Sequence, residues 1–169
     1  GVWGWIGWQR STRKRSSELY RRWARNPVEM LRQIHRLVSG RGDPSEILIR
    51  LAKMARSDAN EAVANLAEGY LLLLTRPAAG LRILGSTVDE QIAPDGHEPP
   101  WKRPLARFYE LLADLYEANS VPRVAALRPR LRQMLRSLRG LGSDDAAFPV
   151  PLLGRIEALV EISRAASLL

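Results

Sequence analysis

No cysteine occurs in the chain, which excludes disulfides, a thiol nucleophile and a cysteine-based metal site. Histidine is nearly as scarce, with only His35 and His97. Neither has a second ligand at a metal-binding spacing. His97-Glu98-Pro99-Pro100 is not the helical His-Glu-x-x-His arrangement that holds zinc. There is no Gly-x-Ser-x-Gly elbow, and Gly40-Arg41-Gly42 lacks the third glycine and the preceding strand of a dinucleotide-binding loop. No segment alternates convincingly at period two, so no sheet is expected. The leucine run at 71–74 falls far short of the roughly 20 apolar residues that a membrane span needs. These absences argue against an enzyme and imply neither cofactor nor metal. His35 is expected as a partly exposed helical residue. His97, with Asp95 and Glu98, is expected as a solvated loop group rather than a loose metal site or an acid–base pair.

Lysine is also rare: of 26 basic residues only Lys14, Lys53 and Lys102 are lysines. The formal net charge is +8, carried almost wholly by arginine. Two causes fit. A GC-rich genome favours Arg, Ala, Gly and Pro codons. A polyanion partner, either nucleic acid or an anionic membrane surface, would select the same charge. With 169 residues and 46% hydrophobic composition, the chain is long and apolar enough for one globular domain.

What is present is helical periodicity. From Asn60 to Gly85 the chain reads as helix, Pro-marked turn, helix. Val63, Leu66, Ala67, Tyr70 and Leu74 recur at three- and four-residue steps. Leu71, Leu72 and Leu73 fill the other faces, so this helix is expected to be buried between neighbours. Thr75-Arg76-Pro77 stops it, and Pro77 suits the first turn of the next helix. Small residues Ala67, Ala78, Ala79 and Gly80 would let the two approach closely.

Upstream, Ser16 or Ser17 is expected to cap a helix through Trp23 or Arg25. Asn26-Pro27 restarts the chain for a stripe of Leu31, Ile34, Leu37 and Val38. Arg41-Gly42-Asp43 matches an integrin-binding tripeptide but is taken as part of a Gly-rich turn. The next helix turns Ile47, Leu48, Leu51, Ala52, Met54 and Ala55 inward. Asp58, with Glu61 three residues on, offers a capping box for the Asn60 helix. Residues 89–104 form a Pro-rich irregular stretch. It is either an exposed functional loop or a connector between two helical halves. Beyond it come an amphipathic helix from Leu105 to Glu117, a helix over 124–139, an extended Phe148-Pro149-Val150-Pro151 and a final helix from Leu152. The fold expected is all-α, an array of six to eight helices.

Ala67 and Tyr70 on the first helix, with Leu66 before them and Ala79 opening the second, resemble a tetratricopeptide unit. Leu112, Ala113, Tyr116 and Ala125 repeat the spacing, with Pro129 interrupting the second copy. The two tyrosines are 46 residues apart, against a family period of 34. The resemblance covers about a third of the chain and implies helical hairpins whose groove binds a protein segment. Ordinary antiparallel helix packing accounts for the same residues.

Two surfaces stand out. Residues 1–8, GVWGWIGW, carry Trp3, Trp5 and Trp8, and Arg10, Arg13, Lys14 and Arg15 follow at once. Aromatics next to cations, in that order, mark the cytoplasmic flank of a membrane span or a short interfacial anchor. A Trp-rich segment packed on the core is the other reading. The charges follow the apolar part, so this is not a signal peptide. The chain begins at Gly1 rather than Met, consistent with a processed or excised piece of a longer protein. Residues 1–15 are thus expected as a membrane-proximal segment on a 16–169 helical domain.

The second surface is an arginine stripe, Arg128, Arg132, Arg136 and Arg139, opposite the leucines of its helix, with Arg123 and Arg130 to one side. It suits an anionic partner, or a solvated face paired in part with Glu110, Asp114 or Glu117. The function expected is a non-catalytic, membrane-proximal scaffold that binds a partner protein in a helical groove. The alternative is a basic helical protein that binds nucleic-acid backbone through the stripe.

Overall fold

A computed structural model describes residues 1–92, 98–142, 153–158 and 160–162, leaving aside the side chains of Trp8, Gln9 and Gly142. Seven helices follow in chain order: α1 Val2–Trp23, α2 Pro27–Ser39, α3 Ser45–Ser57, α4 Glu61–Leu72, α5 Pro77–Gln91, α6 Lys102–Glu117 and α7 Val121–Gly142. Residues 153–158 and 160–162 are helical as well, and no strand occurs among the described residues. The array is all-α. Each helix from α3 to α7 packs on the next, α1 lies on α2 and α3, and α2 also meets α4.

Local chemistry sets most boundaries. Asn26 accepts a hydrogen bond from the Glu29 amide at 3.2 Å, and Pro27 opens α2. Pro77 opens α5 in the same way. Other boundaries differ from the sequence reading. No cap forms at Ser16 or Ser17, because α1 runs unbroken from Val2 and no proline or glycine pair interrupts it. The Ser16 hydroxyl instead donates back to the Thr12 and Arg13 carbonyls. Asp58 does not cap α4. Asn60 does, accepting from the Val63 amide at 3.3 Å, while Asp58 accepts from the Tyr20 hydroxyl. The Pro-rich stretch is shorter than 89–104, since α5 continues to Gln91 and α6 begins at Lys102. Buried Trp101 fixes its far end, and Glu98 accepts from Lys102 and Arg103. Pro129 does not stop its helix. Pro129 and Ala125, whose carbonyl loses its donor, both face water, so the cost is met by solvent. The extended reading at 148–151, Asp95 and His97 lie outside the described residues.

The core is a continuous set of aliphatic and aromatic side chains from α2 to α7, joined by Leu153, Ile156 and Val160. Its largest fully buried members include Tyr109, Phe108, Met30 and Leu31. The inward face expected for α3 is buried, apart from the half-buried Met54. The end of α4 is not buried as expected: Leu71, Leu72 and Leu73 are half-exposed and Leu74 is 79% exposed. The helix stops at Leu72, so the last leucines have left its packed face.

Helix α5 is thin where neighbours press on it. A Cβ at Gly80 would lie 2.6 Å from the Gly69 carbonyl oxygen and 3.1 Å from Leu72 Cβ. A Cβ at Gly69 would meet Leu84 Cγ at 2.7 Å, and one at Gly85 would lie 3.2 Å from the Ala106 carbonyl oxygen. The close approach therefore runs through Gly69, Gly80 and Gly85. Ala79, expected at that contact, is exposed.

His35 is not partly exposed but 2% exposed. Its ring meets Tyr70 edge-on with centroids 5.6 Å apart, and the Tyr70 and Tyr109 hydroxyls are hydrogen-bonded at 2.7 Å. Burial lowers the imidazole pKa to about 3, so it is held neutral. Burial also raises both tyrosines.

Two outcomes follow. Gly80→Ala should destabilise by about 1–3 kcal/mol despite alanine's better helix propensity. Gly140→Ala, where a Cβ meets nothing within 4 Å, should leave stability equal or higher; denaturant midpoints compare the two. For His35 the unfolded state takes up a proton below about pH 6.5 and the folded state does not. Its contribution is complete above that pH and is lost as pH falls. Stability should drop by about 1.4 kcal/mol per unit between about pH 6 and 4.5, and His35→Leu should flatten that slope.

Candidate interaction surfaces

Helix α1 is 22 residues, hence about 33 Å long. Only its second half is held. Thr12 and Ser16 are buried, and Leu19, Tyr20 and Trp23 pack on the core. The Tyr20 hydroxyl donates to Asp58 at 2.9 Å, and Asn60 Nδ2 donates to the Ala24 carbonyl at 2.8 Å. The first turns are exposed. Val2 is 72%, Trp3 86% and Trp5 58% exposed, and Gly1, Gly4 and Gly7 have open space around them. Trp3 and Trp5 sit about 200° apart around the helix, so the apolar tip has no single face.

Arg10, Arg13, Lys14 and Arg15 are exposed and, among the described residues, have no ion pair. They join the tip to the body as the sequence order implied. Trp8 belongs to the same helix, but its side chain is not described. Among the described residues, no helix is long and apolar enough to cross a membrane.

On α7, Arg128, Arg132, Arg136 and Arg139 each directly follow a buried leucine. They lie about 100° round from that face, on its flank rather than opposite it. The flank meets the C-terminal helical residues. Arg128 pairs with Glu161 at 3.4 Å. Burial raises the Glu157 pKa, as does Glu161, while Arg132 and Arg139 lower it. The acids expected to offset the stripe are committed elsewhere: Glu110 to Arg107, and Asp114 and Glu117 to Arg82. Arg123, Arg130, Arg132, Arg136 and Arg139 remain exposed.

Two cavities open on the body. One, of about 480 Å³, is lined by Val38, Leu48, Leu71, Leu73, Leu74 and Tyr116, with Ile156 and Val160 from the C-terminal helical residues. Arg155 is its one charged lining residue among those described. The second, of about 440 Å³, lies where α1, the end of α2 and the α2–α3 turn meet. Arg15, Arg36 and Arg41 line it with Ser11, Asp43 and Glu46. Sequence reasoning gave Arg36 no role and took Arg41 only as part of a Gly-rich turn. They are 21 and 26 residues from Arg15, and no periodicity joins them.

Of the tetratricopeptide-like positions, Leu66, Ala67, Tyr70, Leu112 and Ala113 are buried, Tyr116 is half-buried, and Ala79 and Ala125 are exposed. Among the described residues no group of three His, Asp or Glu side chains could hold a metal ion. Comparison with family models, curated proteins and solved structures finds no match.

Proposed function

We propose that this chain is a non-catalytic interaction module held beside a membrane, with its helical body presenting an apolar groove to a partner protein. The observation that carries this is the projecting tip of α1. A tip without charged side chains leaves Trp3 and Trp5 exposed, and four cations with no ion pair among the described residues follow within two turns. A helix lying flat on lipid needs one apolar face and one polar face. A tip that is apolar on opposite sides suits end-on entry, with tryptophan at the headgroup level and cations at the anionic surface. That order of residues suits a body on the cytoplasmic side. The groove of about 480 Å³ beside Leu74 would take an apolar segment of the partner, as the tetratricopeptide resemblance implies.

The second reading, nucleic-acid backbone binding through α7, draws on its exposed arginines. The Arg128–Glu161 ion pair and the charge of Glu157 near Arg132 and Arg139 weaken it.

Co-sedimentation with anionic vesicles tests the proposal. Trp3→Ala/Trp5→Ala should lower vesicle affinity by at least about tenfold, since each tryptophan transfers about 1.5–3 kcal/mol of apolar burial. Arg132→Glu/Arg136→Glu should leave it within about twofold. Retained binding in the tryptophan variant, or its loss in the arginine variant, would contradict the reading.

A further inference from the structure

The cavity between α1, α2 and the α2–α3 turn has a composition that packing does not explain. Arg15 comes from α1, Arg36 from the last turn of α2, and Arg41 from the turn itself. Among the described residues none of the three side chains has a hydrogen bond or an ion pair. Some other arginines find carboxylates: Arg56 meets Glu68, Arg82 meets Asp114 and Glu117, and Arg107 meets Glu110; what sets Arg15, Arg36 and Arg41 apart from the scattered unpaired ones is that they line one hollow. Three guanidinium groups around one hollow repel each other, and an anion between them removes that repulsion.

The two carboxylates on the rim do not fill this role. Asp43 is turned onto Ser45, accepting from its amide at 2.9 Å and its hydroxyl at 2.6 Å. Glu46 is exposed in the first turn of α3, where a carboxylate suits the helix dipole. Glu29, the acid on α2, is committed to Arg32 and Gln33. Arg36 is partly accounted for by its place at a helix C-terminus; Arg15 lies one turn before Glu18 on α1 without an ion pair to it, and Arg41 has neither reason.

We infer that this cavity is a phosphate site, in which Arg15, Arg36 and Arg41 take the phosphomonoester of a phosphorylated polyol. Guanidinium forks match phosphate oxygens in pairs, and three of them answer a dianion better than a single carboxylate. The volume of about 440 Å³ exceeds what a bare phosphate needs and falls within the range of small-ligand sites. The Ser11 hydroxyl, exposed at the rim, is a further donor for the polyol. Arg15 lies 12 residues from Trp3, about 18 Å along α1. A headgroup that stands off a membrane surface reaches that height when α1 tilts. A soluble sugar phosphate carries the same chemistry, and the site does not depend on the membrane reading.

The full chain would be titrated with inositol 1,4,5-trisphosphate by calorimetry, and floated with vesicles containing phosphatidylinositol 4,5-bisphosphate or phosphatidylserine at matched charge. Arg36→Ala/Arg41→Ala should weaken the soluble probe by at least about tenfold, while Arg132→Ala/Arg136→Ala leaves it within about twofold. Both pairs are exposed, and unchanged thermal melts confirm intact folds. A preference for the phosphoinositide vesicle that vanishes with Arg36 and Arg41 assigns the site to a lipid headgroup. Soluble binding without that preference assigns it to a free phosphate. Absence of soluble binding, or equal weakening by both pairs, overturns the inference. The vesicle result for Trp3 and Trp5 stands apart from every one of these outcomes.

Discussion

The backbone contact of α4 with α5 at Gly69 and Gly80 governs the body of this protein. A glycine on each side lets one helix carry its carbonyl into the space where the other would have a Cβ. With α5 drawn in on α4, and Gly85 admitting the Ala106 carbonyl from α6, the three helices close on one another. That closure brings Tyr70 and Tyr109 to hydrogen-bonding distance and leaves His35 without water. A neutral imidazole and two paired hydroxyls are polar groups that an aliphatic core tolerates only with such fixed geometry. Any widening of the α4–α5 contact would loosen all three.

The functional surfaces are consequences of what this body leaves uncovered. The body holds α1 by the Tyr20–Asp58 and Asn60–Ala24 hydrogen bonds at one end and by packing of its middle turns. The turns that carry Trp3 and Trp5 are left exposed. Cations sit where the helix leaves the body, and two further arginines from α2 and its turn gather behind them. At the opposite flank, α7 carries its arginines beside the leucines, close enough for Glu157 and Glu161 to meet them. The same residue type thus has two settings. On α7 the charge is partly answered from within the chain, and behind α1, among the described residues, it is not.

Much of the fold was legible because its signals are local. Leucine periodicity, Asn26-Pro27 and Pro77 place helices by contacts within four residues, and a helical array is what they describe. What could not be read depends on distant partners. Asp58 looks as good a cap as Asn60 until Tyr20, 38 residues away, claims its carboxylate. His35 looks half-wet until Tyr70 covers it. Ser16 looks like a helix start because composition changes there, but backbone continuity follows from the absence of a breaker and not from composition. The cluster of Arg15, Arg36 and Arg41 is assembled by three elements and has no sequence spacing to betray it. The aromatic tip and its cations were legible, since both lie on one helix.

The account stands or falls on where that tip resides. The direct measurement is ¹⁹F NMR of the 5-fluorotryptophan-labelled chain on anionic nanodiscs doped with a nitroxide lipid, with resonances assigned through Trp→Phe variants. Trp3 and Trp5 should broaden strongly on adding the nitroxide, while the buried Trp101 stays sharp. If Trp3 and Trp5 stay as sharp as Trp101, the tip does not enter lipid, and the membrane-proximal reading fails.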